Sequence, residues 1–179
     1  MTTTWIALLR GMNVGGHRIT NTDLQAAFVA LGFTDVGTWR ASGNVFFAAD
    51  GDEATLAAHI EQGLHAALGY AVPTFLRSVD ELAAVAGAEP FTAAEQARST
   101  GKIQVTFLPA VPDAEARDAV LAHASDDDRL ALTGRELYWL PAAGLLDSDL
   151  DHKAIASHVG VGTTRTLGTV KGIAKKLRH

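Results

Sequence analysis

The sequence predicts an α+β protein made of two ferredoxin-like α/β-sandwich subdomains in tandem. In the first half, apolar segments of strand length and longer segments of helical periodicity follow one another in the order β-α-β-β-α-β. The second half echoes this order as β-α-β-β-α-α, and a segment containing Pro90, Ser99 and Gly101 separates the two halves. We therefore place an N-terminal subdomain at residues 1–88, a junction at 89–101, and a C-terminal subdomain with a basic final helix at 102–179.

The chain opens with a predicted strand and helix. The apolar stretch WIALLR at 5–10 has the length of a buried strand. A helix is predicted to begin at Thr22, because Thr22 and Gln25 have the spacing of a capping box, and to end at Gly32. The apolar residues on one face of this helix are Leu24, Phe28 and Leu31.

A hairpin is predicted to follow this first helix. The segments VGTWR at 36–40 and NVFFA at 44–48 are typical of paired strands. Only Ala41, Ser42 and Gly43 separate them, and a three-residue hairpin loop favours glycine at the position that needs a positive φ.

The first half closes with a helix, a strand and the start of a further helix. Residues 52–68 form a predicted helix, since apolar side chains recur in them every four residues. Residues 71–77 form a strand, which lies at a sheet edge if Pro73 is inside it. Ser78 and Glu81 then have the spacing of a capping box for a short helix.

The second half carries a weaker version of the same pattern. Gly134 separates two short apolar segments and predicts a hairpin, and the last helix has an apolar stripe opposite its lysines. The predicted elements are a strand at 102–109, a helix at 113–123, paired strands at 129–133 and 136–140, and helices near 148–159 and 166–177.

Composition excludes several classes of protein. The chain has 179 residues, 47% of them hydrophobic and 20% charged, which is typical of a globular protein with a core. It has no cysteine, so disulfides, thiolate zinc sites and thiol nucleophiles are excluded. Its apolar runs fall far short of the roughly 20 residues that span a bilayer, and WIALL is too short for the core of a signal peptide. We therefore expect a cytoplasmic protein with no membrane partner.

Charge is distributed unevenly along the chain. The formal net charge is −5, and all 20 acidic residues lie at or before Asp151. Residues 152–179 contain six lysines and arginines and no acid. Such a basic segment can bind nucleic acid or another anion. Alternatively, it complements a helix C-terminus and pairs with the acidic remainder of the chain.

The stretch LLRGMNVGGHR at 8–18 resembles a phosphate-binding loop only in part. Gly11 and Gly16 have the separation of a P-loop, but His17 and Arg18 stand where that motif requires lysine and a hydroxyl residue. The dinucleotide-binding spacing G-x-G-x-x-G is also absent. The loop could still bind an anion through its N–H groups and the side chains of Arg10, His17 and Arg18. The alternative is a wide turn that the glycines allow.

The sequence contains no complete metal-binding motif. Asp147, Asp149 and Asp151 alternate like the start of a calcium loop, but His152 occupies the position that requires glycine. Acidic residues at a helix start, with Ser148 or Asp149 as the N-cap, explain this cluster. No pair of histidines has the spacing of metal ligands on a helix. We predict no metal and no cofactor, and catalytic residues stay unknown.

The segment TTRTLGTV at 163–170 has the composition of an anion site at a helix start. Thr164 or Thr166 can cap the helix, and Arg165 supplies a cation beside its free N–H groups. Ordinary helix capping is the alternative. Gly168 and Gly172, one turn apart, would let this helix approach another backbone closely.

Three motifs together resemble a known family. The stretches ALLRGMNVGG at 7–16, TWRASGNVFF at 38–47 and TTRTLGTV at 163–170 are similar to those of the domain of unknown function 1697 family of bacterial proteins. The resemblance implies two small α+β subdomains and carries no established activity. Ala41 replaces the family's usual glutamine, and residues 166–168 replace its Asn-Trp-Asn, which removes two amides and an indole.

The leading hypothesis is one groove, formed by the three motifs, that binds an anionic ligand such as a nucleotide or nucleic-acid phosphate. The acidic remainder of the chain favours a local site over a broad nucleic-acid surface. One alternative is an enzyme of unknown reaction with His17 or His152 as acid or base. Another is a protein–protein interaction module that pairs through a sheet edge or the Gly168–Gly172 helix. The predicted ligand-binding residues are Arg10, Asn13, Gly15, Gly16, Ser42, Asn44, Thr164 and Arg165.

Overall fold

The chain folds into two units, Met1–Ala83 and Ala84–His179, in a computed structural model that describes residues 1–40 and 43–178. Each unit contains a four-stranded antiparallel sheet flanked by helices. This arrangement confirms the predicted α+β fold class with two tandem subdomains.

The first unit has the strand order β2-β3-β1-β4. Strand β1 lies inside the sheet and pairs antiparallel with β3 on one side and β4 on the other. Its elements are β1 (Thr3–Leu9), α1 (Asn21–Ala30), β2 (Thr34–Thr38), β3 (Asn44–Ala49), α2 (Glu53–Leu68) and β4 (Thr74–Ser78), and α3 (Val79–Gly87) crosses the boundary between the units. The core between this sheet and its helices contains Ala7, Leu9, Val45 and Phe47 from the strands and Leu24, Phe28, Ile60 and Leu64 from α1 and α2.

Local capping signals decide where the first-unit helices begin. Asp52 caps α2, since its carboxylate accepts a hydrogen bond from the Thr55 N–H at 2.9 Å. The predicted start of α1 is wrong: Thr20 is the N-cap and accepts from the Asp23 N–H at 3.1 Å. The Gln25 side chain does not cap the helix and instead donates to the Val36 carbonyl at 2.8 Å, which ties α1 to β2.

The second unit has the strand order β6-β7-β5-β8, the same arrangement as in the first. Its core combines residues of the sheet, α5 and α6, among them Leu132, Leu137, Val120 and Ile155. The elements are α4 (Ala93–Ala97), β5 (Gln104–Phe107), α5 (Ala114–Leu121), β6 (Asp128–Thr133), β7 (Glu136–Pro141), a 3-10 turn (Leu145–Asp147), α6 (His152–Val159), β8 (Thr163–Thr166) and α7 (Leu167–Leu177).

The predicted order β-α-β-β-α-α for the second half lacks a strand that the structure contains. Residues 163–166 form β8, which pairs antiparallel with β5 so that Thr164 faces Thr106 and Arg165 faces Val105. Helix α7 begins after it, with Thr166 as the N-cap. The strand has only four residues and lies at the sheet edge, so it has no run of alternating apolar side chains that the sequence could reveal.

Two further details of the second half differ from expectation. The N-cap of α6 is Asp151, whose carboxylate accepts from the Ala154 N–H at 2.9 Å, and neither Ser148 nor Asp149 caps it. The predicted junction also contains helix α4, which starts with a capping box between Thr92 and Glu95.

Candidate anion-binding site

The loop between β1 and α1, residues 10–20, is here called the glycine loop. Its backbone turns through positive φ at Gly11, Gly15 and Gly16. A hydrogen bond from the Ile19 N–H to Asn13 Oδ1 at 3.1 Å and one from the His17 N–H to the Val14 carbonyl at 3.1 Å hold its shape. A Cβ built at Gly15 or Gly16 would meet nothing within 4 Å, so this part of the backbone is open to a ligand.

The β2–β3 turn, of which the structure describes Trp39, Arg40 and Gly43, contacts the two residues that bracket the glycine loop. The Leu9 N–H donates to the Gly43 carbonyl at 2.8 Å, and the Asn21 side chain donates to the Arg40 carbonyl at 2.8 Å. Gly43 has φ +77°, and a Cβ there would lie only 3.1 Å from Met12 Cγ of the glycine loop. Two of the three predicted motifs are therefore in contact. The predicted site residue Ser42 lies outside the described residues, as does Ala41.

Asn44, another predicted site residue, is the first residue of β3 and is buried. It is only 4% exposed, and its side-chain amide donates to the Trp39 carbonyl at 3.2 Å. That bond joins the first residue of β3 to the residue that follows β2. A direct role for Asn44 in ligand binding stays a prediction.

The glycine loop and the β2–β3 turn contain exposed cations. The side chains of Arg10, Arg18 and Arg40 are exposed, and residues 8–22 contain no acid. Among the described residues, no carboxylate lies within 4.0 Å of any of these three guanidinium groups. The guanidinium of Arg40 lies 5.8 Å from the centroid of the Trp39 ring. Within the part of the chain that the structure describes, no ion pair therefore uses this positive charge.

The third predicted motif belongs to the second unit and has a different geometry from the one expected. Thr164 and Arg165 lie in strand β8, not at a helix start, so their side chains point to opposite faces of the sheet. The Thr164 hydroxyl is exposed and shares a 2.8 Å hydrogen bond with Thr106. Their part in ligand binding stays a prediction.

Burial defines the environment of Arg165. Its Nη1 donates to Thr163 Oγ1 at 2.8 Å and to the Thr164 carbonyl at 2.9 Å. Loss of hydration lowers the pKa of Arg165 to about 10. Arg165 is thus a half-buried cation, whereas Thr164 is uncharged.

The two histidines considered as acid–base groups lie in different units and have different surroundings. His17 is exposed and stacks on Tyr70. His152 lies in the first turn of α6 with its ring edge-on to Trp139, the centroids 4.8 Å apart. Within residues 1–40 and 43–178, no group of three histidine or acidic side chains could hold a metal ion. A catalytic role for either histidine stays a prediction.

The structure also reveals features that the sequence did not single out. Tyr70 contacts the glycine loop through a hydrogen bond from its hydroxyl to the Met12 carbonyl at 3.2 Å, across 58 positions of chain. A cavity of about 330 Å³ in the second unit is lined by Asp127, Asp128, Asp147 and Asp149, a charge that disfavours anions. No local sequence pattern predicts the Tyr70 hydrogen bond or the acidic cavity, because both bring together residues that are distant in sequence.

Comparisons with known proteins agree with the fold. The model of the family described as "Protein of unknown function (DUF1697)" matches residues 1–138, a range that includes the first two motifs. The structure of the conserved bacterial protein SP0830 from Streptococcus pneumoniae is similar over 100% of both chains, with a TM-score of 0.75 and 20% sequence identity. No curated protein matches the chain significantly. In the described part of the chain, no helix has both the length and the apolar character needed to cross a bilayer.

Proposed function

We propose, for a chain that belongs to the DUF1697 family of proteins of unknown function, that its first unit binds a phosphate-bearing anion, such as a nucleotide or a nucleic-acid phosphate. The site comprises the glycine loop and the adjoining β2–β3 turn. The observation that carries the proposal is the contact between these two segments, which together contain open glycine backbone and exposed cations.

Two kinds of group would recognise the phosphate. A turn can direct neighbouring backbone N–H groups into a concavity that suits anions, and the loop backbone turns through positive φ at Gly15 and Gly16. Guanidinium groups pair with phosphate oxygens through two parallel hydrogen bonds, and Arg10 and Arg18 belong to the glycine loop. Because both arginines are exposed and have no carboxylate partner among the described residues, binding would not require an ion pair to be broken.

Inorganic pyrophosphate is the probe that tests the proposal. We expect it to raise the Tm of the full chain, because a ligand that binds only the folded state stabilises it by mass action. Arg18→Gln and Arg10→Gln should each reduce that shift by at least half, while leaving the Tm without ligand within about 2 °C, since exposed substitutions change stability by less than about 0.5 kcal/mol.

The matched control is Arg98→Gln. Arg98 is also exposed, but it follows helix α4 in the second unit, so its loss changes the net charge equally without touching the glycine loop. We expect this variant to keep the full shift. No shift with wild-type protein, or equal losses in the Arg18 and Arg98 variants, would contradict the proposal.

A further inference from the structure

An aromatic pair lies beside the glycine loop. The rings of His17 and Tyr70 are stacked, with centroids 3.9 Å apart and an angle of 29° between their planes. His17 belongs to the loop, whereas Tyr70 follows Gly69, the residue that ends α2. The stack therefore joins the loop to the helix side of the unit.

Tyr70 is a fixed support in this pair. Its hydroxyl donates to the Met12 carbonyl at 3.2 Å, and its ring packs against the hydrophobic core of the first unit. Gly69 turns the chain through φ +80° immediately before it, which directs Tyr70 back towards the loop. The position of the His17 ring is thus defined by packing as well as by its own backbone.

His17 remains exposed although Tyr70 covers one of its faces. Its neighbour Gly16 has no side chain, and a Cβ at that position would meet nothing within 4 Å. The exposure of His17 therefore comes from the part of its ring that Tyr70 does not cover, and Gly16 and Arg18 adjoin it in the chain. A second planar ring could extend the stack on that outer face.

We infer that the ligand of this site is a nucleotide, whose phosphate lies on the glycine loop and whose base stacks on the outer face of His17. This inference rests on the proposed function and adds the base to it. Bases stack on aromatic side chains irrespective of base identity, because every base has a π-face. The exposed ring adjoins Arg18 in the chain, and no carboxylate among the described residues lies within 4.0 Å of the Arg18 guanidinium. This combination matches a ligand that has both a planar ring and a negative charge. A sugar phosphate has only the charge.

A matched pair of ligands isolates the contribution of the base. AMP and ribose 5-phosphate carry the same phosphate and sugar, and only AMP carries a base. We expect isothermal titration calorimetry to give a Kd for AMP roughly tenfold lower than for ribose 5-phosphate, in the range that base stacking supplies. In His17→Ala this ratio should fall to about one, while ribose 5-phosphate binding changes less than threefold.

His17→Phe is the control variant, because it keeps a stacking ring without the imidazole nitrogens. We expect it to retain the preference for AMP. Equal affinities for the two ligands in wild-type protein, or a preference that survives in His17→Ala, would overturn the inference and leave phosphate binding intact. If neither ligand binds and pyrophosphate gives no shift, the proposed function falls together with it.

Discussion

Single residues at the candidate site have different physical roles even where their backbone conformations agree. Gly15 and Gly43 both have positive φ, +60° and +77°. A side chain at Gly15 would extend into open space, whereas one at Gly43 would lie 3.0 Å from Leu9 Cβ and 3.1 Å from the Leu9 carbonyl. Gly15 is needed only for its conformation. Gly43 is needed also for the close approach that brings the turn onto the loop.

This difference gives a prediction at the residue scale. Gly15→Ala should lower the free energy of unfolding by about 1–2 kcal/mol, which is the cost of a left-handed conformation. Gly43→Ala should lower it by roughly 2–4 kcal/mol, since overpacking against Leu9 adds to that conformational cost. Urea denaturation followed by circular dichroism measures both. Equal losses in the two variants would show that the contact at Gly43 contributes nothing.

At the scale of the elements, the buried carboxylate of Asp128 adds a side-chain link between the paired strands β6 and β7. Asp128, 5% exposed, accepts hydrogen bonds at a single oxygen from the Trp139 indole at 2.7 Å and from the Ser148 hydroxyl at 2.6 Å. These bonds connect two neighbouring strands with the segment that leads into α6. An acidic residue that looks like surface charge in the sequence is thus part of the interior of the second unit.

Asp128→Ala should lower the free energy of unfolding by about 2–4 kcal/mol, because it leaves the buried Trp139 N–H without its acceptor and opens a small cavity. Asp127→Ala is the control. Asp127 is exposed, and its backbone carbonyl, which alanine retains, accepts a hydrogen bond from the Ala142 N–H at 2.7 Å. Chemical denaturation should place the control within about 0.5 kcal/mol of wild type. Similar losses in both variants would contradict the role given to Asp128.

At the scale of the whole molecule, net charge restricts the kind of anion that the chain can bind. The formal charge is −5, yet residues 8–22 contain two arginines and no acid. The acidic remainder of the chain would repel a long polyanion. A ligand with few phosphates would contact only the loop and would avoid most of that repulsion. A local site is therefore the form of anion binding that this charge distribution permits.

Salt dependence tests that restriction. For a single-stranded oligonucleotide with a 5′-phosphate, a site that contacts about three phosphates should give a slope of roughly −2 in log K against log salt concentration. Fluorescence anisotropy should also give the same affinity per site for a trinucleotide and a 20-mer. A slope steeper than about −5, or an affinity that rises strongly with length, would indicate a broad nucleic-acid surface instead.

Much of the fold was predictable because its signals are local. The long helix α2 and the β6–β7 hairpin follow from spacing and turn residues within a few positions, and both are confirmed. Strand β8 was missed because its evidence is the pairing with β5, some 58 positions away. The cap of α1 was misplaced by two residues, since Thr20 and Thr22 are chemically alike and only the path of the chain selects between them.

The sequence by itself determined the fold class, the family and the position of the glycine loop, because periodicity, capping residues and motifs act over short stretches of chain. Only the tertiary structure decided which of these features meet. It brought the loop and the Gly43 turn together, buried Asn44 inside the turn, put Thr164 and Arg165 on opposite faces of a strand, and stacked Tyr70 on His17. Such contacts depend on how sheets and helices pack, and packing joins residues that no local pattern relates.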